Sequence, residues 1–240
     1  MKIIIDAGNT FVKAGVFENK NIFETFRTKS LSVPFLEQIL KKHPHISNVL
    51  LSSVLEISED IKIFLRKFKN YVIFDSSTKI PVINKYKTPE TLGNDRLAGV
   101  VGAFAKFPGE NILVIDAGSC LTFDFINGKG EYTGGSISPG LNMRFNALHT
   151  FTGKLPLVSL SEHCELTGTD TQSSILSGVI NGLVFETDEV IIQYQKKYPS
   201  LKVLVCGGDG SFLADRLKSS IFAIPELVLI GLNEILDYNR

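Results

Sequence analysis

The sequence predicts an α/β protein made of two copies of one unit, each a mixed β-sheet with flanking helices. Three observations predict it. First, Ile3-Ile4-Ile5 is a short apolar run of the kind that forms a buried strand, and it ends in Asp6-Ala7-Gly8-Asn9-Thr10, an acid followed by turn residues. Second, Ile112-Leu113-Val114-Ile115-Asp116-Ala117-Gly118-Ser119 repeats that plan with 110 positions between the two acids, a period that means a duplicated domain rather than a short solenoid repeat. Third, segments with strand-like apolar runs alternate with segments of helical periodicity, the signature of a layered α/β architecture. The repeat sets an N-terminal domain at residues 1–110 and a C-terminal domain at 111–240.

The first copy opens as a meander. Thr10 to Phe17 continues as a strand, Glu18-Asn19-Lys20-Asn21 is a polar turn, and Ile22 to Thr28 is the third strand. Pro34 suits a first helical turn, and Phe35, Leu36, Ile39 and Leu40 follow at helical spacing. Val49 to Val54 is a strand, Ile61, Phe64, Leu65 and Phe68 form a helical stripe, and Tyr71 to Phe74 is a short strand. Lys79 to Leu92 is irregular. Gly93-Asn94-Asp95-Arg96 then opens a helix, where Asn-Asp is a plausible cap. That helix carries Gly99 and Gly102 among alanines, a small-residue face suited to close packing on another helix.

The second copy rebuilds the meander with Leu121 to Ile126, an Asn127-Gly128-Lys129-Gly130 turn, and Glu131 to Ile137. Leu141 to Leu148 is helical. The longest helix follows Thr171, its candidate cap, and runs to about Tyr198. Lys202 to Cys206 is a strand leading through Gly207-Gly208-Asp209-Gly210 into a helix over Phe212 to Leu217, and a last helix spans Pro225 to about Tyr238.

Composition excludes several classes. With 44% hydrophobic and 21% charged residues among 240, the chain can build real cores and is not a disordered tail. A formal net charge of zero leaves no basic footprint for nucleic acid or for an anionic membrane surface. Lys62, Arg66, Lys67 and Lys69 fall at helical spacing and read as a solvated face. Cys120, Cys164 and Cys206 are odd in number and scattered, which fits neither a disulfide framework nor a zinc site. No signal-peptide pattern and no membrane-length apolar run is present, so a reduced, cytoplasmic protein is expected.

The chemistry sits in the turns. An acid able to hold a divalent cation, a glycine turn with exposed N–H groups and a lysine (Asp6, Gly8 and Lys13) together suit a polyphosphate. Taken alone the same segment also reads as a polar hairpin tip. Two such turns in tandem suggest two domains that share a nucleotide. Neither a Walker pattern nor the protein-kinase signature set is present.

This arrangement resembles the actin-like ATPase and sugar-kinase superfamily, with its duplicated ribonuclease H-like domains. The resemblance narrows when four motifs are taken in order. Asp-Ala-Gly-Asn-Thr…Lys at 6–13, Gly-x-Asp-Arg at 93–96, the second Asp-x-Gly turn at 116–118, and Gly-Gly-x-Ile-x-Pro-Gly at 134–140 are similar to type III pantothenate kinase over essentially the whole chain. Three departures are visible: Ser119-Cys120 after the second turn, Cys206 before the late glycines, and no proline after Ser52-Ser53-Val54.

The resemblance implies transfer of a phosphoryl group from ATP to the terminal hydroxyl of pantothenate, the first step toward coenzyme A. It implies that Asp6, Ala7, Gly8, Asn9, Thr10, Phe11, Val12 and Lys13 hold ATP, with Ser119 contacting it from the other domain. Asp6 would hold Mg²⁺ directly or through water, and Asp116 a monovalent cation, K⁺ or NH₄⁺. Asp95 matches the catalytic base. Tyr86, Gly93, Asn94, Asp95 and Arg96 match the substrate pocket, Arg96 toward the pantothenate carboxylate. Thr171 matches a substrate contact supplied across a homodimer. Another small-molecule kinase of the superfamily, or a non-catalytic ATP-binding regulator, is the competing reading.

Overall fold

The computed structural model describes residues 1–240. The first sheet contains β1 (Lys2–Ala7), β2 (Val12–Glu18), β3 (Asn21–Thr28), β4 (Asn48–Ser53) and β5 (Asn70–Ile73), in the order β3-β2-β1-β4-β5. β1 pairs antiparallel with β2 and parallel with β4. Between these strands lie α1 (Val33–Lys42) and α2 (Glu59–Leu65). Ser32 caps α1 by accepting from Phe35 N at 3.4 Å, and Pro34 sits in the first turn, where a missing N–H costs nothing. Next come the short β6 (Ile83–Asn84) and α3 (Asn94–Lys106).

The second sheet contains β7 (Ile112–Ala117), β8 (Cys120–Ile126), β9 (Glu131–Pro139), β10 (Lys202–Cys206) and β11 (Phe222–Ala223), in the order β11-β10-β7-β8-β9, with β6 beyond β9. Here too the first strand pairs antiparallel with the second and parallel with the fourth. The duplication read from two turns is therefore a duplication of whole sheets, with one strand order and one pattern of pairing. The helices are α4 (Leu141–Thr150), α5 (Thr171–Lys197), α6 (Gly210–Ala214) and α7 (Leu227–Tyr238). No helix is long and apolar enough to cross a membrane.

Two compact units result. One comprises Met1–Pro108, Gly130–Thr133 and Glu226–Arg240; the other comprises Gly109–Lys129 and Gly134–Pro225. In the first, Ile3, Ile5, Ala7, Val12, Ala14, Val16, Val49 and Leu51 face α1 and α2, where Leu36, Ile39, Ile61, Phe64 and Leu65 are buried against them. The opposite sheet face is covered by α7: Lys2 Nζ meets Asp237 Oδ2 at 2.7 Å, and Leu229 closes on Gly15. α7 also lies along α3. The small-residue face of α3 serves this contact, for Gly102 lies against the backbone of Leu227 and Gly231. Of the basic residues on and after α2, Lys62 and Arg66 pair loosely with Glu59, and Lys67 sits 5.0 Å from the Phe64 ring, consistent with a solvated face. In the second unit, Leu121 and Phe123 of β8 pack against Ile175, Val179, Ile180 and Leu183 of α5. Arg144 of α4 ties this layer together, donating to Pro139 O at 2.8 Å and pairing with Glu186 of α5.

Element boundaries differ from expectation where a local bond decides them. The cap of α5 is Asp170, not Thr171: its carboxylate accepts from Ser173 N at 2.9 Å, and Ser173 Oγ accepts from Asp170 N at 3.0 Å, a reciprocal box that places Thr171 inside the first turn. α3 is capped by Gly93, with Asn94 and Asp95 already helical. α6 starts two residues before Phe212 and is short, and α7 starts at Leu227 because Ile224 N still bonds Val205 O beside β10.

Candidate active site

In the first unit, Asp6 lies near the C-terminal end of β1, in register with Lys13 on β2 and Ser52 on β4. Lys13 is in turn opposite Arg27 on β3. Because facing residues in a sheet share a side, Ser52, Asp6, Lys13 and Arg27 form one row across four strands, on the face turned away from α1 and α2. The turn Gly8–Phe11 between β1 and β2 is closed by Gly8 N donating to Phe11 O at 3.1 Å. Ala7 and Val12 are buried and anchor the turn, and Asn9 and Thr10 are exposed at its tip.

The first turn of α3 is held at the same end of the sheet. Asn94 Nδ2 donates to Phe74 O, directly after β5, at 3.0 Å, and Phe74 N bonds Leu51 O of β4. Asp95 is exposed, and its Oδ1 accepts the N–H of Arg96 at 2.8 Å. A Cβ on Gly93 would stand 2.6 Å from that oxygen, so glycine is what leaves the carboxylate its place. Arg96 is 8% exposed, unusually deep for a guanidinium. Its Cζ is 5.6 Å from the ring of Tyr86, which stacks on Tyr132 with planes 9° apart. Tyr132 reaches Tyr86 because the start of β9 pairs with β6, Asn84 opposite Tyr132. The structure thus joins Tyr86, Gly93, Asn94, Asp95 and Arg96, scattered over eleven positions, into one cluster.

In the second unit, Asp116 holds the place on β7 that Asp6 holds on β1, in register with Thr122 and Cys206. Ser119 belongs to the following turn, closed by Gly118 N donating to Cys120 O at 2.9 Å. The late glycine turn lies against it. Gly207 has φ +93, and a Cβ there would stand 2.4 Å from Asp116 Oδ1 and from Ala117 O, so both its conformation and its neighbours demand glycine. Asp209 N donates to Ala117 O at 2.8 Å. The Asp209 carboxyl lines a narrow recess with Ala117, Gly118, Gly140 and Leu141, and burial raises its pKa. The Gly-Gly-Asp-Gly turn is visible in the sequence, but nothing there marks Asp209 as a site residue. The available signal was the apolar strand before it, but only pairing of that strand with β7 sets the turn beside Asp116. Thr171 is exposed at the start of α5 and sits in this unit too.

The chain holds no group of three or more His, Cys, Asp or Glu able to cage a metal. Asp6 nevertheless fits Mg²⁺, which commonly takes one or two carboxylates and fills its remaining positions with water and substrate phosphate. The Asp116 carboxylate, set against backbone that no side chain could share, fits a cation held by one charge and nearby carbonyls.

Comparison with known proteins identifies the family and the fold. A profile of the type III pantothenate kinase family matches residues 2–193. A type III pantothenate kinase from Christiangramia forsetii is 43% identical over 242 aligned residues, covering 100% of this chain and 99% of that protein. Among solved structures, a protein from Campylobacter jejuni described as a Baf family transcriptional activator superposes with a TM-score of 0.62 at 21% identity, covering 99% of this chain and 98% of the other. An inorganic polyphosphate/ATP-glucomannokinase from Arthrobacter sp. strain KM gives 0.52 at 16% identity, covering 99% and 98%. At such identities the structural likeness establishes the fold, that of the actin-like ATPases and sugar kinases.

Proposed function

We infer that this chain, which belongs to the type III pantothenate kinase family, transfers the γ-phosphoryl group of ATP to the terminal hydroxyl of pantothenate and so begins coenzyme A synthesis. The observation that carries the reading is the cluster at the start of α3, where an exposed carboxylate stands beside a buried, aromatic-backed guanidinium at the sheet end that presents Asp6.

Phosphoryl transfer asks a protein chiefly to position reactants and neutralise charge. The Asp6–Lys13 turn supplies backbone N–H groups and the Lys13 ammonium to the phosphates of ATP, with Ser119 a further contact. Asp6 would hold Mg²⁺, directly or through water, and the bound ion would supply charge neutralisation on those phosphates. Asp95 accepts the proton of the attacking hydroxyl and aims its oxygen, a contribution of roughly 10²–10⁴ in rate. Arg96 presents its planar donors to the pantothenate carboxylate, and the Tyr86–Tyr132 stack keeps the guanidinium from swinging away. Gly93 and Asn94 set the backbone of that pocket. Asp116 would hold a monovalent cation, K⁺ or NH₄⁺.

Two copies of the chain are proposed to assemble, with Thr171 of one completing the substrate pocket of the other. The support is apolar surface on α5 and the stretch between α4 and α5: Phe151 is 85% exposed, Leu166 72% and Phe185 53%. The cytoplasm is the proposed site of action, where thiols such as Cys164 and Cys206 stay reduced.

The test is ATP turnover with and without pantothenate, in potassium and in sodium buffer. Pantothenate-dependent turnover that is higher in potassium is expected, and its absence in potassium refutes the assignment. With Asp95→Asn, turnover should fall by roughly 10²–10⁴ while ATP binding persists. Near-full activity of that variant would remove Asp95 from the role of base.

A further inference from the structure

Arg27 shares the row of Asp6 and Lys13 but takes no part in the chemistry proposed for that row. It lies on β3 directly opposite Lys13, and its Cζ is 3.5 Å from the centroid of the Phe11 ring. Phe11 is the last residue of the β1–β2 turn, and its carbonyl closes that turn. Arg27 therefore reaches diagonally across the strand pair to the phosphate-binding turn. Neither Arg27 nor Lys13 has an ion-pair partner.

Two like charges directly opposite on an antiparallel pair repel, and a sequence with only folding to satisfy gains nothing from them. Asp6, next in the row, offsets one of the two positive charges and leaves the other in excess. Stacking on Phe11 fixes the plane of the guanidinium while leaving its N–H donors, which lie in that plane, open to an acceptor. An anion at the turn, with several oxygens to receive those donors, removes the repulsion.

We propose that Arg27 is a second cationic contact for the phosphates of ATP, held at the Asp6–Lys13 turn by its stack on Phe11. This rests on the kinase reading for the identity of the anion. Phe11 orders the side chain before nucleotide arrives, so less freedom is lost on binding than for a solvated arginine.

The test uses the full chain with Arg27→Ala and Arg27→Lys. Direct calorimetric titration with ATP, without acceptor, should show Arg27→Ala weakened about tenfold, the size of one charged hydrogen bond. Adenosine affinity, the KM for pantothenate and Tm should stay as in the wild type, and the loss of ATP affinity with added salt should become shallower. Arg27→Lys should recover part of the loss, since charge returns without the stack. Unchanged ATP affinity in Arg27→Ala overturns the proposal. So does a loss shared equally by ATP and adenosine with a lowered Tm, which would make the stack a structural brace. Wild-type protein that binds ATP but does not phosphorylate pantothenate counts against the kinase reading alone, because the titration needs no acceptor.

Discussion

The contact between α3 and α7 is where a single methyl group should disturb chemistry from a distance. At Gly231 of α7, a Cβ would stand 1.8 Å from Ala98 O of α3, 2.7 Å from Ala98 C and 2.9 Å from Gly102 N. All three are backbone atoms, so no side chain can rotate away. Restoring a contact of about 3.4 Å to the carbonyl requires the helices to part by roughly 1.6 Å, or α3 to slide by as much. Ala98 is only three residues from Asp95, under one helical turn, so the first turn of α3 moves with it. Overpacking of this kind costs about 1–3 kcal/mol, occasionally more. At about 2–4 °C per kcal/mol for a protein of this size, Gly231→Ala should lower Tm by roughly 2–12 °C. A misplacement of about 1 Å at a reacting group can cost about 10² in rate, and kcat should fall by that order. Thermal melts and pantothenate-dependent turnover check both numbers. Gly178→Ala is the control: it lies in α5 with open space at the Cβ, so it should leave Tm unchanged or raise it slightly. Wild-type Tm and kcat in Gly231→Ala would refute the close packing. A lowered Tm with wild-type kcat would refute the link from that packing to Asp95.

Two further substitutions should respond to pH in opposite directions. Burial raises the Asp209 pKa, so its favourable contribution is full below the unfolded value of about 3.9 and is lost as pH rises through the folded value. Melts from pH 3 to 8 should therefore show Asp209→Asn gaining on the wild type as pH rises, and a constant difference would contradict the burial. The Asp170 carboxyl is held below its usual range by the Ser173 backbone N–H. Its contribution is present above about pH 3.9 and lost as pH falls through the folded value, so Asp170→Ala should be less stable at pH 7 and approach the wild type in acid. Equal destabilisation at both ends of the range would show that the charged cap is not the source.

What the sequence by itself determined is local. The apolar run before Asp6, its copy before Asp116 and the alternation of strand and helix periods are written in neighbouring residues, and they suffice for the α/β class and the duplication. The order of four motifs suffices for the family. The exact caps were not legible, because Thr171 and Asp170 are both of capping type and adjacent, and the reciprocal bonds with Ser173 choose Asp170. Nor was the backing of Arg96, since the Tyr86–Tyr132 stack depends on β6 pairing with residues 48 positions later in the chain, Ile83 opposite Glu131 and Asn84 opposite Tyr132. The same holds for Gly207 and Asp209, which meet the Asp116 turn only because β10 lies beside β7. The small-residue face of α3 announced a close helix partner without naming it. Tertiary packing supplied α7, from the far end of the chain, where Gly231 brings a second backbone flush against Ala98 and Gly102 of α3. Pairing between distant segments is decided by which surfaces fit, and that information is spread over the whole fold rather than held in any one stretch of residues.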